Sequence, residues 1–250
     1  MKFTFGIITF DNQEARVATL VEKINKFARD AEIIVVGGTD AYDGNVNHIE
    51  FDEHEHWGWI TRKKNIITEN ASYDNIVYMH DYFAIDESWQ KGWEEFGDDW
   101  DVAMNVIKNK DGSRYRDWCA WDDPELCYFK YFFTRNEADL GGHFACLVPY
   151  DYKKTEHMYI SGGYWVAKKK TMQKWPLTET LMAAESEDVD WSKRMRDSSK
   201  YVMNQGVTVH ILKDDKDRII PTYEEIEACR NFVKENNLPS VIKKEDIWLL

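Results

Sequence analysis

The stretch 71-ASYDNIVYMHDYFAIDESW-89 decides how the rest of the chain reads. Ile76, Val77, Tyr78 and Met79 form a short apolar run after the turn-like Tyr73-Asp74-Asn75. A run of that length, partly β-branched, predicts a buried strand rather than a helix. It stops at His80-Asp81-Tyr82, so an ionisable pair stands where a central strand leaves its sheet. In open α/β sheets, ligands bind outside the carboxyl ends of the strands. Asp81 therefore reads either as a cap of the turn that follows or as a ligand for a divalent cation carrying a diphosphate.

Working outward, residues 2–10 form a β-branched and aromatic run broken by Asp11-Asn12. Over 14–29, Val17, Leu20, Val21, Ile24 and Phe27 recur at helical spacing. A second apolar strand over 32–36 closes on Gly37-Gly38-Thr39-Asp40. Strand, helix, strand and glycine turn make a βαβ unit, which implies parallel pairing through a right-handed crossover. A shorter strand is predicted over 46–51, and a helix opened by Thr61 over 61–70. Arg62, Lys63 and Lys64 in its first turns read as an anion site or as a solvated basic face.

Beyond the central strand, a Trp-rich helix is predicted over 87–96 and a strand over 101–106. Periodicity is lost over 114–150, where the aromatic sequence RDWCAWDDPELCYFKYFF reads as a functional loop. Strand character returns over 158–168, followed by helices over 169–175 and 185–196, a strand over 207–212 and a helix over 223–236. No repeat or linker interrupts the 250 residues, which predicts one domain. Its nucleotide half spans 1–106, its acceptor half 107–215, and its C-terminal helix and tail 216–250.

Composition narrows the partners. A net charge of −13 excludes a nucleic-acid backbone, whose phosphates need clustered Lys and Arg. With 11 Trp, 13 Tyr and 12 Phe, the chain can stack on bases and sugars or simply fill a core. Cys119, Cys127, Cys146 and Cys229 have no zinc-type spacing and read as reduced thiols. The opening MKFTFGIITF is too short for a signal peptide, and no run approaches a transmembrane span. A soluble protein of the cytoplasm is expected.

Several chemistries lack their motifs. GxGxxG, GxxxxGK[ST] and GxSxG are all missing. His54 and His56 would share one face of a strand, but a zinc site needs a third ligand. Glu187-Asp188 is more informative: two carboxylates at a helix start are either dipole-stabilised residues or an acid–base pair facing a cleft.

Taken together, FGIITF, IIVVGG, ITRKKN, IVYMHDYFAID and SGGYWVAKKK followed by SEDVDW resemble a GT-A glycosyltransferase, the fold that uses nucleotide-sugar donors. The nearest resemblance is to the small glycosyltransferase domain encoded by large algal viruses, over residues 2–210. It implies an α/β fold with a mixed, mostly parallel central sheet flanked by helices. It implies uridine contacts at Thr9, Asp11, Gly38 and Asp40, with Arg62 and Lys63 near the base or diphosphate. The family's metal-binding DXD falls on His80-Asp81-Tyr82, which keeps only the central carboxylate. His80 then belongs to the donor side, and Asp81 would bind Mn²⁺ or Mg²⁺, with His210 as a further ligand. The family's ED pair falls on Glu187-Asp188, with Asp188 as base. Trp118, Trp121, Tyr164 and Trp165, with Gly163 beside them, would form the acceptor platform.

The expected function is transfer of a hexose or deoxyhexose from a UDP sugar to a glycan hydroxyl with inversion. Its rivals are a nucleotidyltransferase acting on sugar phosphates and a carbohydrate-binding module without catalysis.

Overall fold

A computed structural model of the chain describes residues 1–39, 42, 45–53, 57–121, 145–152, 154–213 and 220–236. The first half is built as the strand–helix alternation predicts. Strand β1 (Phe3–Ile8) leads to helix α1 (Glu14–Phe27), strand β2 (Glu32–Val36) and strand β3 (Val46–Ile49). Helix α2 (Ile60–Asn70) precedes strand β4 (Asn75–His80), a short strand β5 (Phe83–Ile85) and helix α3 (Ser88–Phe96). All six residues of β1 are buried, as in parallel strands covered on both faces. The predicted stripe of α1 is the one that packs inward: Val17, Leu20, Val21 and Ile24.

In the second half come strands β6 (Val102–Lys108), β7 (Cys119–Trp121), β8 (Ala145–Leu147), β9 (Met158–Tyr159) and β10 (Tyr164–Lys168). Helices α4 (Lys169–Lys174) and α5 (Glu187–Met195), strand β11 (Tyr201–Ile211) and helix α6 (Tyr223–Glu235) follow. Eight strands form one mixed sheet in the order β3-β2-β1-β4-β10-β6-β11-β5. β3, β2, β1 and β4 are parallel, and β10 runs antiparallel to both β4 and β6. A smaller sheet has the order β8-β7-β9.

Four expectations need correction. The apolar run over 158–168 is two strands in different sheets, because Ser161-Gly162-Gly163 turns the chain between them. The last strand starts at Tyr201, six residues before its expected start at Val207. Asn204-Gln205-Gly206 hides it, and there the pairing with β6 shifts register. Helix α2 opens on Ile60, and the Thr61 hydroxyl donates to the Leu181 carbonyl at 2.9 Å instead of capping. The described part of 114–150 holds β7 and β8, so it is more ordered than a loop; residues 122–144 lie outside the described residues.

Most of the aromatic excess fills the core. Trp89, Trp93, Trp165 and Trp191 are fully buried, and Trp89 meets Phe3 and Phe5 at centroid distances of 5.5 and 5.0 Å. Among the described residues, no helix is long and apolar enough to cross a membrane.

Candidate functional site

Strand order reverses direction of growth between β1 and β4, and the carboxyl ends of those strands open a crevice there. Thr9 directly follows β1 and Asp81 directly follows β4, and the Thr9 hydroxyl donates to Asp81 Oδ2 at 2.8 Å. The other carboxylate oxygen of Asp81 takes a hydrogen bond from Arg16 of α1 at 3.2 Å. Beside them the Gly37-Gly38 turn closes β2. A cleft of about 590 Å³ continues outward, lined by Gly38, Thr39, His48, Glu50, Phe51 and Asp52. Asp11 is exposed at this end, and Asp40 lies outside the described residues.

Helix α2 clamps this crevice from below. Lys63 and Lys64 are both wholly buried, so the basic run is not a solvated face. Lys63 donates to the Thr9 carbonyl at 2.7 Å, pairs with Glu53 and lies over the Phe10 ring at 4.1 Å. Burial pushes its ammonium below the usual lysine range, and Glu53 opposes that shift. Arg62 turns the other way, to Glu69 at 2.6 Å and Glu179 at 3.1 Å, and so is not brought to the strand ends. It ties α2 to the segment that follows Pro176.

The Gly162-Gly163 turn links the crevice to the carboxylate pair. The His80 amide donates to the Gly163 carbonyl at 2.9 Å, and the Gly162 amide donates to Asp188 Oδ2 at 3.1 Å. A methyl group at Gly162 would lie 2.9 Å from Glu187 Oε1 and 3.0 Å from Asp188 Oδ2, so the turn packs directly on both carboxylates. Glu187 is buried and Asp188 half-buried. Burial, and next the charge of Glu187, push the Asp188 carboxyl above the usual range, while Lys64 and the amides of Val189 and Gly162 pull it back. Asp188 is thus a partly desolvated carboxyl in the first turn of α5.

The expected metal site is not assembled. A divalent cation takes several oxygen ligands, and here Asp81 is committed to Thr9 and Arg16. His80 lies on the opposite face: Tyr78, two residues earlier, meets Thr68 of α2, while Asp81 meets α1. The Nε2 atom of His80 is buried with no hydrogen-bond partner among the described residues, and burial with Lys64, Lys213 and Lys63 nearby keeps the ring neutral. His210 bonds Asp86 at 2.8 Å, opposite Ala84 of β5. Among the described residues no three His, Cys, Asp or Glu side chains could hold an ion together. The described residues by themselves do not make up the implied metal site.

The acceptor platform is also corrected. Trp118, Tyr164 and Trp165 are buried to within 3% of full, which leaves no ring face for a sugar. Trp118 stacks on Tyr201, Trp165 on Tyr78, and the Tyr164 hydroxyl donates to Asn105. Trp121 is partly exposed beside Tyr159, and Gly163 packs on the Phe83 ring. Sequence reasoning read Lys64 only as part of an anion site or a solvated basic face, and it singled out neither Arg16 nor Trp57. Arg16 gave no signal, because an arginine on an amphipathic helix is ordinarily solvated. Trp57, 79% exposed, stands next to Gly58, whose carbonyl accepts from Ala183 ahead of the carboxylate pair.

No protein-family model and no curated protein matches the sequence significantly. Solved structures do match. TarS 1-349 of S. aureus aligns with a TM-score of 0.56 at 12% identity, over 84% of this chain and 60% of that one. GalNAc-T7, solved with UDP, GalNAc and Mn²⁺, gives 0.59 at 12%, over 98% and 53%. The mannosyltransferase PcManGT from Pyrobaculum calidifontis, with GDP-Man and Mn²⁺, gives 0.52 at 10%, over 86% and 58%. This chain thus spans between about half and three fifths of each. The likeness establishes a GT-A-type α/β fold with a mixed eight-stranded sheet flanked by helices. It does not bear on the narrower likeness to the algal-virus domain.

Proposed function

We propose that this chain is a glycosyltransferase that moves a sugar from a nucleoside-diphosphate sugar, a UDP sugar first, to a hydroxyl of a glycan or sugar acceptor, with inversion. The observation that carries this reading is continuity. One hydrogen-bonded path runs from Thr9 and Asp81 at the strand ends, through the Gly162-Gly163 turn, to Asp188. The neighbours solved with UDP, GalNAc, GDP-Man or Mn²⁺ support a donor of this class on this fold.

In this reading the nucleoside occupies the cleft outside β1 to β3, between Gly38 and Phe51. The diphosphate lies by Arg16 of α1, the cation at these strand ends. The acceptor oxygen bonds to the anomeric carbon as that carbon's bond to the β-phosphate oxygen breaks. The hydroxyl proton passes to Asp188, and the nucleoside diphosphate leaves with the electron pair. Attack from the face opposite the leaving group inverts the anomeric carbon. Glu187, buried against Lys64, sets the charge beside Asp188.

Thermal unfolding tests the donor site. UDP at about 100 times its dissociation constant should stabilise the fold by about 2.7 kcal/mol. With Asp81 already held by Arg16, the rise in melting temperature should persist in EDTA. A rise that vanishes in EDTA and returns with Mn²⁺ would restore the metal assignment. No rise with UDP, GDP or dTDP under any condition would sink the donor assignment.

The acceptor surface falls to exposed aromatic rings, and Trp57 is one, next to the Gly58 that accepts from Ala183. Trp57→Ala should raise the acceptor KM about tenfold, since stacking a flat apolar face contributes about 1 kcal/mol or more. UDP affinity and melting temperature should stay unchanged. If Trp121→Ala raises the acceptor KM and Trp57→Ala does not, the acceptor sits on the β7 side.

A further inference from the structure

The structure assigns Lys64 a positioning role: its buried ammonium is the fixed counter-charge that locks the Glu187-Asp188 pair against the end of β4. The role in turnover rests on the transferase reading above; the charge balance does not. Lys64 is wholly buried, yet it reaches no solvent and no substrate-facing surface. It donates to the Gly162 carbonyl at 2.7 Å and stands 3.5 Å from Glu187 Oε1, over the Trp165 ring at 4.7 Å. Gly162 also donates its own amide, which belongs to the preceding peptide group, to Asp188. Lys64 therefore meets Glu187 directly and fixes the Gly162 backbone that holds Asp188.

Charge counting explains why a lysine is tolerated there. Burying an ammonium is costly unless it is paired, and two adjacent buried carboxylates are equally costly without a cation. The charged and titratable groups around the cluster come from several elements. Lys63 stands beside Lys64 on α2, His80 faces Lys64 from β4, and Tyr159 and Tyr201 face Asp188 from β9 and β11. His80 is held neutral, and both phenols are pushed up and stay uncharged. Lys64 is thus the cation that offsets Glu187 in lowering the Asp188 carboxyl.

The sign follows from linkage. A carboxyl raised above its ordinary value binds more protons folded than unfolded, so the stability tied to it falls as pH rises through that window. Lys64→Met removes the opposing cation and widens the window. The variant should fall furthest below the parent near pH 7.5 and recover toward about pH 5. Lys64→Met/Glu187→Gln removes one charge of each sign and should regain most of the melting temperature at the higher pH. In turnover, the acid limb of kcat/KM should move up by about 1–2 pH units in Lys64→Met and return in the double variant.

The experiment measures melting temperature against pH without substrate, and kcat/KM against pH with a nucleotide sugar, for parent, single and double variants. A purely structural lysine would lower stability equally at every pH and leave the acid limb in place; that result overturns the inference. A double variant that is no better folded than the single one overturns it as well. A parent with no transfer activity defeats the transferase reading, while the melting series still decides the charge balance.

Discussion

Asp188→Asn should lower turnover by about 10²–10⁴-fold while leaving UDP-sugar binding intact. The amide keeps the carboxylate's shape and can still accept the hydrogen bond from Gly162, but it cannot take the acceptor's proton. Asp188 suits that task because burial and Glu187 raise its carboxyl toward the working pH, while Lys64 keeps it from rising too far. The activity should therefore fall on the acid side as Asp188 becomes protonated. Glu187→Gln should shift the acid limb downward, because it removes the neighbouring charge that raises the Asp188 carboxyl. Product stereochemistry is the sharper check, since one displacement must reverse the donor carbon. An NMR spectrum with the donor's configuration retained, or an Asp188→Asn enzyme with near-parental turnover, would reject the base assignment.

Gly37→Ala should be among the most damaging single substitutions on the donor side. Gly37 has φ of +89°, and a Cβ there would sit 2.5 Å from the Thr9 carbonyl oxygen and 2.8 Å from Lys63 Nζ. The Thr9 oxygen is backbone and already accepts from Lys63, so it cannot move without opening the end of β1. Left-handed strain and overpacking together predict a loss of about 1–3 kcal/mol or more. At about 2–4 °C per kcal/mol for a chain of this size, the melting temperature should drop measurably. The UDP-induced rise should shrink as well, because the same turn borders the cleft. A variant with unchanged melting temperature and a full UDP response would show that the turn is neither tight nor part of the donor site.

Local pattern carried the first half of the fold. The strand over 32–36 was legible to the residue, and α1 showed its buried stripe directly, because burial on one helix face leaves a period that neighbours cannot erase. The carboxylate pair was legible as a helix start, and Asp81 as a strand end. Polar interruptions defeated the same reasoning later: Asn204-Gln205-Gly206 lie inside β11 at a register shift, where pairing with β6 passes from Asn204 to Thr208. Ser161-Gly162-Gly163 looked like the middle of a strand and is the turn between two sheets.

By itself the sequence determined the α/β class, the βαβ start and the residues able to carry acid–base chemistry, since these depend on spacing along one chain. Tertiary structure alone decided what those residues meet. It put Arg16 on Asp81, 65 positions away, and Lys64 on Glu187, 123 positions away. It turned Arg62 to Glu69 and Glu179, and it buried Trp118, Tyr164 and Trp165 in the core. The physical reason is that helical or strand periodicity fixes which face a side chain takes, whereas the charge on the facing element is set by how distant segments pack. A lysine that neutralises a buried carboxylate and a lysine in water have the same local sequence, and only the partner across the core distinguishes them.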